Sequence, residues 1–282
     1  MIQNYVDAID AAFLPRDHLL LLWEGDLPYL LVYSFNERAF THRLNLPLEQ
    51  HINHAIFLTH PSDHYGSQAP PGVNSSLKPD PDNDILVLEL KMVSAGYTLF
   101  VRVVISTGLV LRACTPKSEF EREWEDEGPK VLKWRQWGIN ATRWFPADAA
   151  PRTSIRSTYG SRMVAFGASS TFVGEENIAH SLAFPPHYLY TRAATEEKRL
   201  LMFDFNPRSV TRDAEVFEEE TAVRYAYTKP SLWNGARSVH MRGRKVLSAL
   251  PFRVTVSKDP WDYKRVYMNA TTLIGRKVCS PP

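Results

Sequence analysis

Short runs in which apolar residues recur with a period of two dominate the chain, and they come in pairs with turn residues between them, which is the spacing of half-buried strands. His18-Leu-Leu-Leu-Leu-Trp23, then Glu24-Gly25-Asp26, then Leu27-Pro-Tyr-Leu-Leu-Val-Tyr-Ser-Phe35 predicts a hairpin closed by a glycine-containing turn. Runs over 85–93, 97–105 and 108–114 predict a three-stranded meander, with hairpin-length turns at Ser94-Ala-Gly96 and Ser106-Thr-Gly108. Further strands are expected over 162–166, 188–192, 200–205, 239–241, 252–256 and 273–277. Val, Ile, Tyr, Phe and Thr recur in them, and these side chains fit a pleated surface. Helical signal is thin. Ser118 with Glu121 three residues on is a capping-box pattern, which predicts two turns over 118–126 ended by Gly128-Pro129. Weaker helical patterns lie over 5–13 and 213–223. The Pro-rich stretch 61–84 and the Pro/Ala/Arg-rich stretch 145–157 read as loops. Neither asks for a second domain, so one β-rich domain over 1–282 is expected. Strands recurring in small clusters suggest a propeller-like array of antiparallel meanders, incomplete or irregular, with a few short helices; a β-sandwich pair is the structural alternative.

Composition narrows the class without naming a chemistry. The 282 residues are 44% hydrophobic and 12% aromatic, enough apolar surface to exclude a disordered chain, and 20 prolines and 13 glycines exclude a coiled coil. Lys+Arg 33 against Asp+Glu 31 leaves a formal charge of +2, too balanced for binding nucleic acid by electrostatics alone. The first thirteen residues carry Asp7 and Asp10 and no basic start, which is not a secretory signal, and His18 to Trp23 is too short to span a bilayer. With only Cys114 and Cys279, a reducing compartment is favoured over a disulfide, and cytoplasm or nucleus is expected without membrane contact.

The residues that could carry catalysis fall short of a motif. His51, His54, His60, Asp63 and His64 lie close in sequence and could offer imidazoles to zinc as a metal-dependent hydrolase would, but Pro61 interrupts the second pair and no H-E-x-x-H is formed. Gly167-Ala-Ser-Ser-Thr171 lacks the second glycine of a nucleophile elbow, and no phosphate-cradling glycine loop is present. The acidic runs over 119–127 and 215–220 read as solvated faces. No cofactor, metal or catalytic residue is expected. Trp124, Trp134, Trp137 and Trp144, with Arg143 beside them, carry more information. Tryptophan and arginine are enriched at recognition hot spots, but tryptophans more often anchor loops over a β core, and packing is the favoured reading of these rings. A stacking platform for single-stranded nucleic acid is the third reading of the same rings.

Lys133-Trp-Arg-Gln-Trp-Gly-Ile-Asn-Ala-Thr-Arg-Trp-Phe-Pro146 resembles the W-x-x-W-G-x-x-x-T-R-W-F stretch of the F-box-containing proteins of mushroom-forming fungi. The likeness continues in order through Tyr159-Gly-Ser-Arg162, Leu200-Leu-Met-Phe-Asp-Phe-Asn-Pro207, and Leu250-Pro-Phe-Arg-Val254 with Met268-Asn-Ala-Thr-Thr-Leu-Ile-Gly275. The early Leu-rich hairpin fits the family as well. The resemblance implies a propeller-like post-F-box region that holds a protein substrate of a ubiquitin ligase without catalysing a reaction, with Trp124, Trp134, Trp137, Arg143 and Trp144 as the expected contact surface. It departs from the family in two places. Asn269-Ala-Thr271 stands where an acidic stretch is usual, and the F-box pattern L-P-x-E-[LI]-x-x-x-I is missing from 1–13. A Skp1-type adaptor is therefore expected as a partner only if an F-box exists outside this chain, as it would for a chain truncated at its N-terminus.

Overall fold

The computed structural model describes residues 8–23, 27–48, 52–58, 81–94, 97–115, 128–146, 158–168, 198–212, 217–218, 222–228, 230–234, 245–261, 263, 265–268 and 273–276. Its strands, in chain order, are β1 (Ala8–Leu14), β2 (His18–Trp23), β3 (Tyr29–Ser34), β4 (Ala39–Asn45), β5 (Ile52–Phe57), β6 (Ile85–Ser94), β7 (Tyr97–Ser106), β8 (Lys130–Leu132), β9 (Thr142–Pro146), β10 (Thr158–Tyr159), β11 (Arg162–Ala168), β12 (Lys198–Asp204), β13 (Phe217–Glu218), β14 (Ala222–Tyr227), β15 (Ser231–Asn234), β16 (Lys245–Ser248), β17 (Phe252–Pro260), β18 (Arg265–Met268) and β19 (Leu273–Arg276). Among the described residues three short α-helices accompany them, α1 (Thr107–Cys114), α2 (Trp134–Ala141) and α3 (Pro207–Arg212), with one 3-10 turn at Pro81–Asn83. The protein is mostly β.

The strands form three larger sheets. The first has the order β1-β2-β3-β4-β8, the second β5-β6-β7-β9 and the third β10-β11-β12-β17-β14-β13, with β15-β16 and β18-β19 as separate pairs. Neighbours pair antiparallel except β4 with β8, which run parallel. Alternation decides how the sheets stack. Leu86, Leu88 and Leu90 on β6, with Val101, Val103 and Ile105 on β7, pack against Leu20, Leu22, Leu30, Val32 and Leu44 of the first sheet. The intervening side chains Ile85, Val87 and Val104 point the other way, into a layer shared with Leu201, Phe203, Phe252 and Val254 of the third sheet. The second sheet is thus buried on both faces, which is why β6 opens as an unbroken apolar run rather than an alternating one. The far face of the third sheet carries Val164 and Leu200, which meet Val266 of β18. Asp10 of β1 ties the first two sheets through its carboxylate, which accepts from the Ala11 N–H at 2.8 Å and from the Phe57 N–H of β5 at 2.7 Å.

Several local expectations are corrected. The third strand of the meander is the helix α1: Ser106 caps it, its hydroxyl accepting from the Leu109 N–H at 3.4 Å, and Gly108 lets the first turn close on the backbone. A Cβ at Gly108 would lie 1.9 Å from the Asp82 carbonyl oxygen, so this helix docks only because the position is glycine. The helical pattern over 5–13 gives way to β1 from Ala8 onward, because pairing with β2 and burial of Ala12 and Leu14 outweigh local propensity. Within 213–223, the described residues are the short strand β13 and the start of β14. The helix expected over 118–126 and the strands over 188–192 and 239–241 lie outside the described residues.

Candidate functional site

The tryptophan segment folds inward. Gln136 Oε1 accepts from the Lys133 N–H at 2.7 Å, starting α2 through one arm of a capping box, and the Thr142 hydroxyl donates to the Gly138 carbonyl at 2.7 Å where the helix gives way to β9. Trp134 stands edge-on to Trp137 and to Trp144, with ring centroids 5.1 and 5.8 Å apart. Gly138 makes room for it, since a Cβ there would meet the Trp134 ring at 2.1 Å. The indole N–H of Trp137 donates to the Asn45 carbonyl of β4, and that of Trp134 to the Leu247 carbonyl of β16. The cluster therefore joins the first sheet, the second sheet and the β15–β16 pair.

Trp137, Arg143 and Trp144 keep only 2–3% of their surface exposed, and Trp134 is half-buried. Arg143 lies 4.9 Å over the Phe252 ring in the layer between the second and third sheets, where burial lowers its pKa to about 10. These positions place Trp137, Arg143 and Trp144 in the packing and Trp134 at its edge; Trp124 lies outside the described residues. Trp137, Arg143 and Trp144 offer a partner almost no area to cover, whereas Trp134 keeps part of its surface exposed.

Of the histidine cluster only His54 is described; it is exposed on β5, and His51, His60, Asp63 and His64 lie outside the described residues. Among the described residues no group of three or more His, Cys, Asp or Glu side chains is arranged to hold a metal ion. Cys114 is buried in the layer between the first two sheets, and desolvation pushes its thiol up to about 12, so it is fully protonated at neutral pH. Asp204, buried on β12, accepts from the hydroxyls of Ser161 and Ser209 and from the Asn206 N–H, with Arg253 at 3.4 Å. This closed network holds the Asp204-Phe-Asn-Pro207 corner.

The outer face of the first sheet is different. Pairing registers Phe13 with Leu19, Leu19 with Tyr33, and Tyr33 with Phe40, an apolar row running across four strands. Phe35, just past β3, stacks on Phe13 at 6.4 Å and meets Tyr33 edge-on at 5.3 Å. A second row, Ala11, Leu21, Leu31 and Arg43, leads to Val131 on β8. Trp23 stacks on Tyr29, and the Arg43 guanidinium lies 3.9 Å over the same Tyr29 ring. Phe13, Phe35 and Val131 are 49%, 45% and 51% exposed. An antiparallel sheet with one face on the core ordinarily turns polar side chains outward; here the outward positions are apolar, exposed at Phe13, Phe35 and Val131 and buried at Leu31.

None of the candidate functional positions in the sequence falls on this face. Its signal was present in the Leu-rich hairpin, where the positions facing away from the core are as apolar as those facing it. No family model matches the chain, and neither a curated protein nor a solved structure does.

Proposed function

We propose that the chain is a non-catalytic protein-interaction module, built as a propeller-like array in which the three stacked sheets are successive blades, and that it binds its partner through the outer face of the first sheet. One observation carries the reading: an exposed pair of stacked phenylalanines, Phe13 and Phe35, sits beside Tyr33 and Phe40 on a sheet whose other face is fixed in the core. A stiff sheet holds aromatic side chains at little entropic cost, and aromatic clusters supply most of the binding energy of hot spots. The resemblance to F-box proteins gives the partner a role, a protein held for ubiquitin transfer; a Skp1-type adaptor enters only through an F-box outside this chain.

Affinity capture from an extract of the organism that makes the protein tests the reading, using the wild-type chain and the double variant Phe13→Ser/Phe35→Ser. The expected result is a protein retained by wild type and lost from the variant, with the thermal midpoint of the variant unchanged. Identical recoveries on both chains would overturn it.

A further inference from the structure

Resting on that reading of the outer face, we infer that the bound segment is a peptide carrying a carboxylate between apolar side chains, and that Arg43 selects it. Among the described strand positions of this face, Arg43 is the cation. Its Nε donates to Asn45 Oδ1 at 3.2 Å and its guanidinium lies flat on Tyr29, so the fork is held in one orientation before any partner arrives. A pre-ordered guanidinium loses less freedom on binding than a free one, and its planar donors match a carboxylate two at a time. Its neighbours across the sheet are apolar, Leu31 on β3 and Val131 on β8. Leu31 is already buried, so a partner that covers Val131 and the Arg43–Tyr29 stack removes water from the pair and strengthens it. A base at the same place would be driven off by like charge, so one residue both attracts and excludes. The apolar side chains of the segment would cover Phe13, Tyr33 and Phe35, and its acid would reach Arg43.

The test selects a random peptide library, displayed on phage, against the immobilised full chain and against Arg43→Glu, Arg43→Lys and Phe13→Ser/Phe35→Ser, each shown by thermal melting to remain folded. Peptides selected by wild type should place Asp or Glu beside Leu or an aromatic residue and bind Arg43→Glu at least about tenfold more weakly. Arg43→Lys should keep the acidic preference with a smaller loss, because an ammonium keeps the charge without the fork. Selection on Arg43→Glu should favour Lys or Arg instead. Wild-type peptides without an acidic preference, yet still dependent on Phe13 and Phe35, would overturn the role of Arg43 and leave the face as the binding surface. Peptides indifferent to Phe13→Ser/Phe35→Ser, or no enrichment, would overturn both. A wild-type chain that sediments as a dimer, split by Phe35→Ser, would make a second copy the occupant and also overturn the inference.

Discussion

The β2–β3 and β6–β7 hairpins share a feature that sets them apart from an ordinary antiparallel pair, since apolar residues occupy both faces of their strands. In β6–β7 both faces are filled, one by the first sheet and one by the third. In β2–β3 the inner face meets a core layer, and among the described residues no second sheet lies on the outer face, where Phe13 and Phe35 stand exposed beside Tyr33. An unbroken apolar strand therefore states that two faces will be covered, but not by what. Where a second sheet supplies the cover, as for β6–β7, the strand is central; for β2–β3 the proposed partner would supply it.

Alanine substitutions at adjacent positions break or sharpen that contrast. Leu88→Ala should cost about 2–5 kcal/mol and Val87→Ala about 1–3 kcal/mol, because neighbouring side chains of β6 enter two different filled layers. In β2 the costs should alternate. Leu20→Ala should match Leu88→Ala, whereas Leu19→Ala, on the outer face, should cost under about 1 kcal/mol. Denaturant titration of the four variants reads this directly, and equal losses at Leu19 and Leu20 would mean that the outer face is packed after all.

Next in size are the two glycines that let helices approach. Gly108→Ala should cost about 1–3 kcal/mol, since the new methyl meets the Asp82 backbone, which cannot rotate away. Gly138→Ala should cost less, because the Trp134 ring can swing outward; its signature is a red-shifted tryptophan emission as the half-buried ring gains water. An unshifted spectrum would show that Trp134 does not lie over Gly138.

At neutral pH the remaining effect vanishes, since it is a slope confined to alkaline pH. Burial raises the Cys114 thiol from 9.0 to about 12 in the folded chain, so above pH 9 the unfolded chain loses a proton that the folded chain keeps. Stability should then fall as pH rises from 9 towards 12. In a Cys279→Ser background, further replacement of Cys114 by Ala should change that slope by the Cys114 contribution, leaving those of Arg143 and Tyr159, and native Cys114 should resist alkylation at pH 8 until the layer between the first two sheets opens. Ready alkylation of the folded chain would contradict the packing of that layer.

Much of the β content was legible in the sequence. The β2–β3 and β6–β7 hairpins, and the strands β11, β12, β17 and β19, follow from β-branched and aromatic runs bounded by turn residues. The helix α1 was not, because Thr-Gly-Leu-Val-Leu-Arg-Ala-Cys has strand-like composition, and what makes it helical is the Ser106 cap and the docking of Gly108 on Asp82. The short helix α2 was missed beneath its tryptophans, whose spacing says they are important without saying which way they face. Their direction is set by long-range partners, the carbonyls of Asn45 and Leu247, which no local pattern contains. The aromatic face was hidden for the reverse reason: single-strand patterns suggest that apolar positions are covered, and only the stacking order of the sheets tells which cover is absent among the described residues.

Hydroxyl-radical footprinting of the free chain, read residue by residue by mass spectrometry, tests the central contrast most directly. Phe13, Tyr33 and Phe35 should oxidise rapidly, while Trp137 and Trp144, intrinsically more reactive, should stay nearly unlabelled until the protein is unfolded. Rapid labelling of those two tryptophans together with protection of Phe13 and Phe35 would reverse the assignment of core and contact surface.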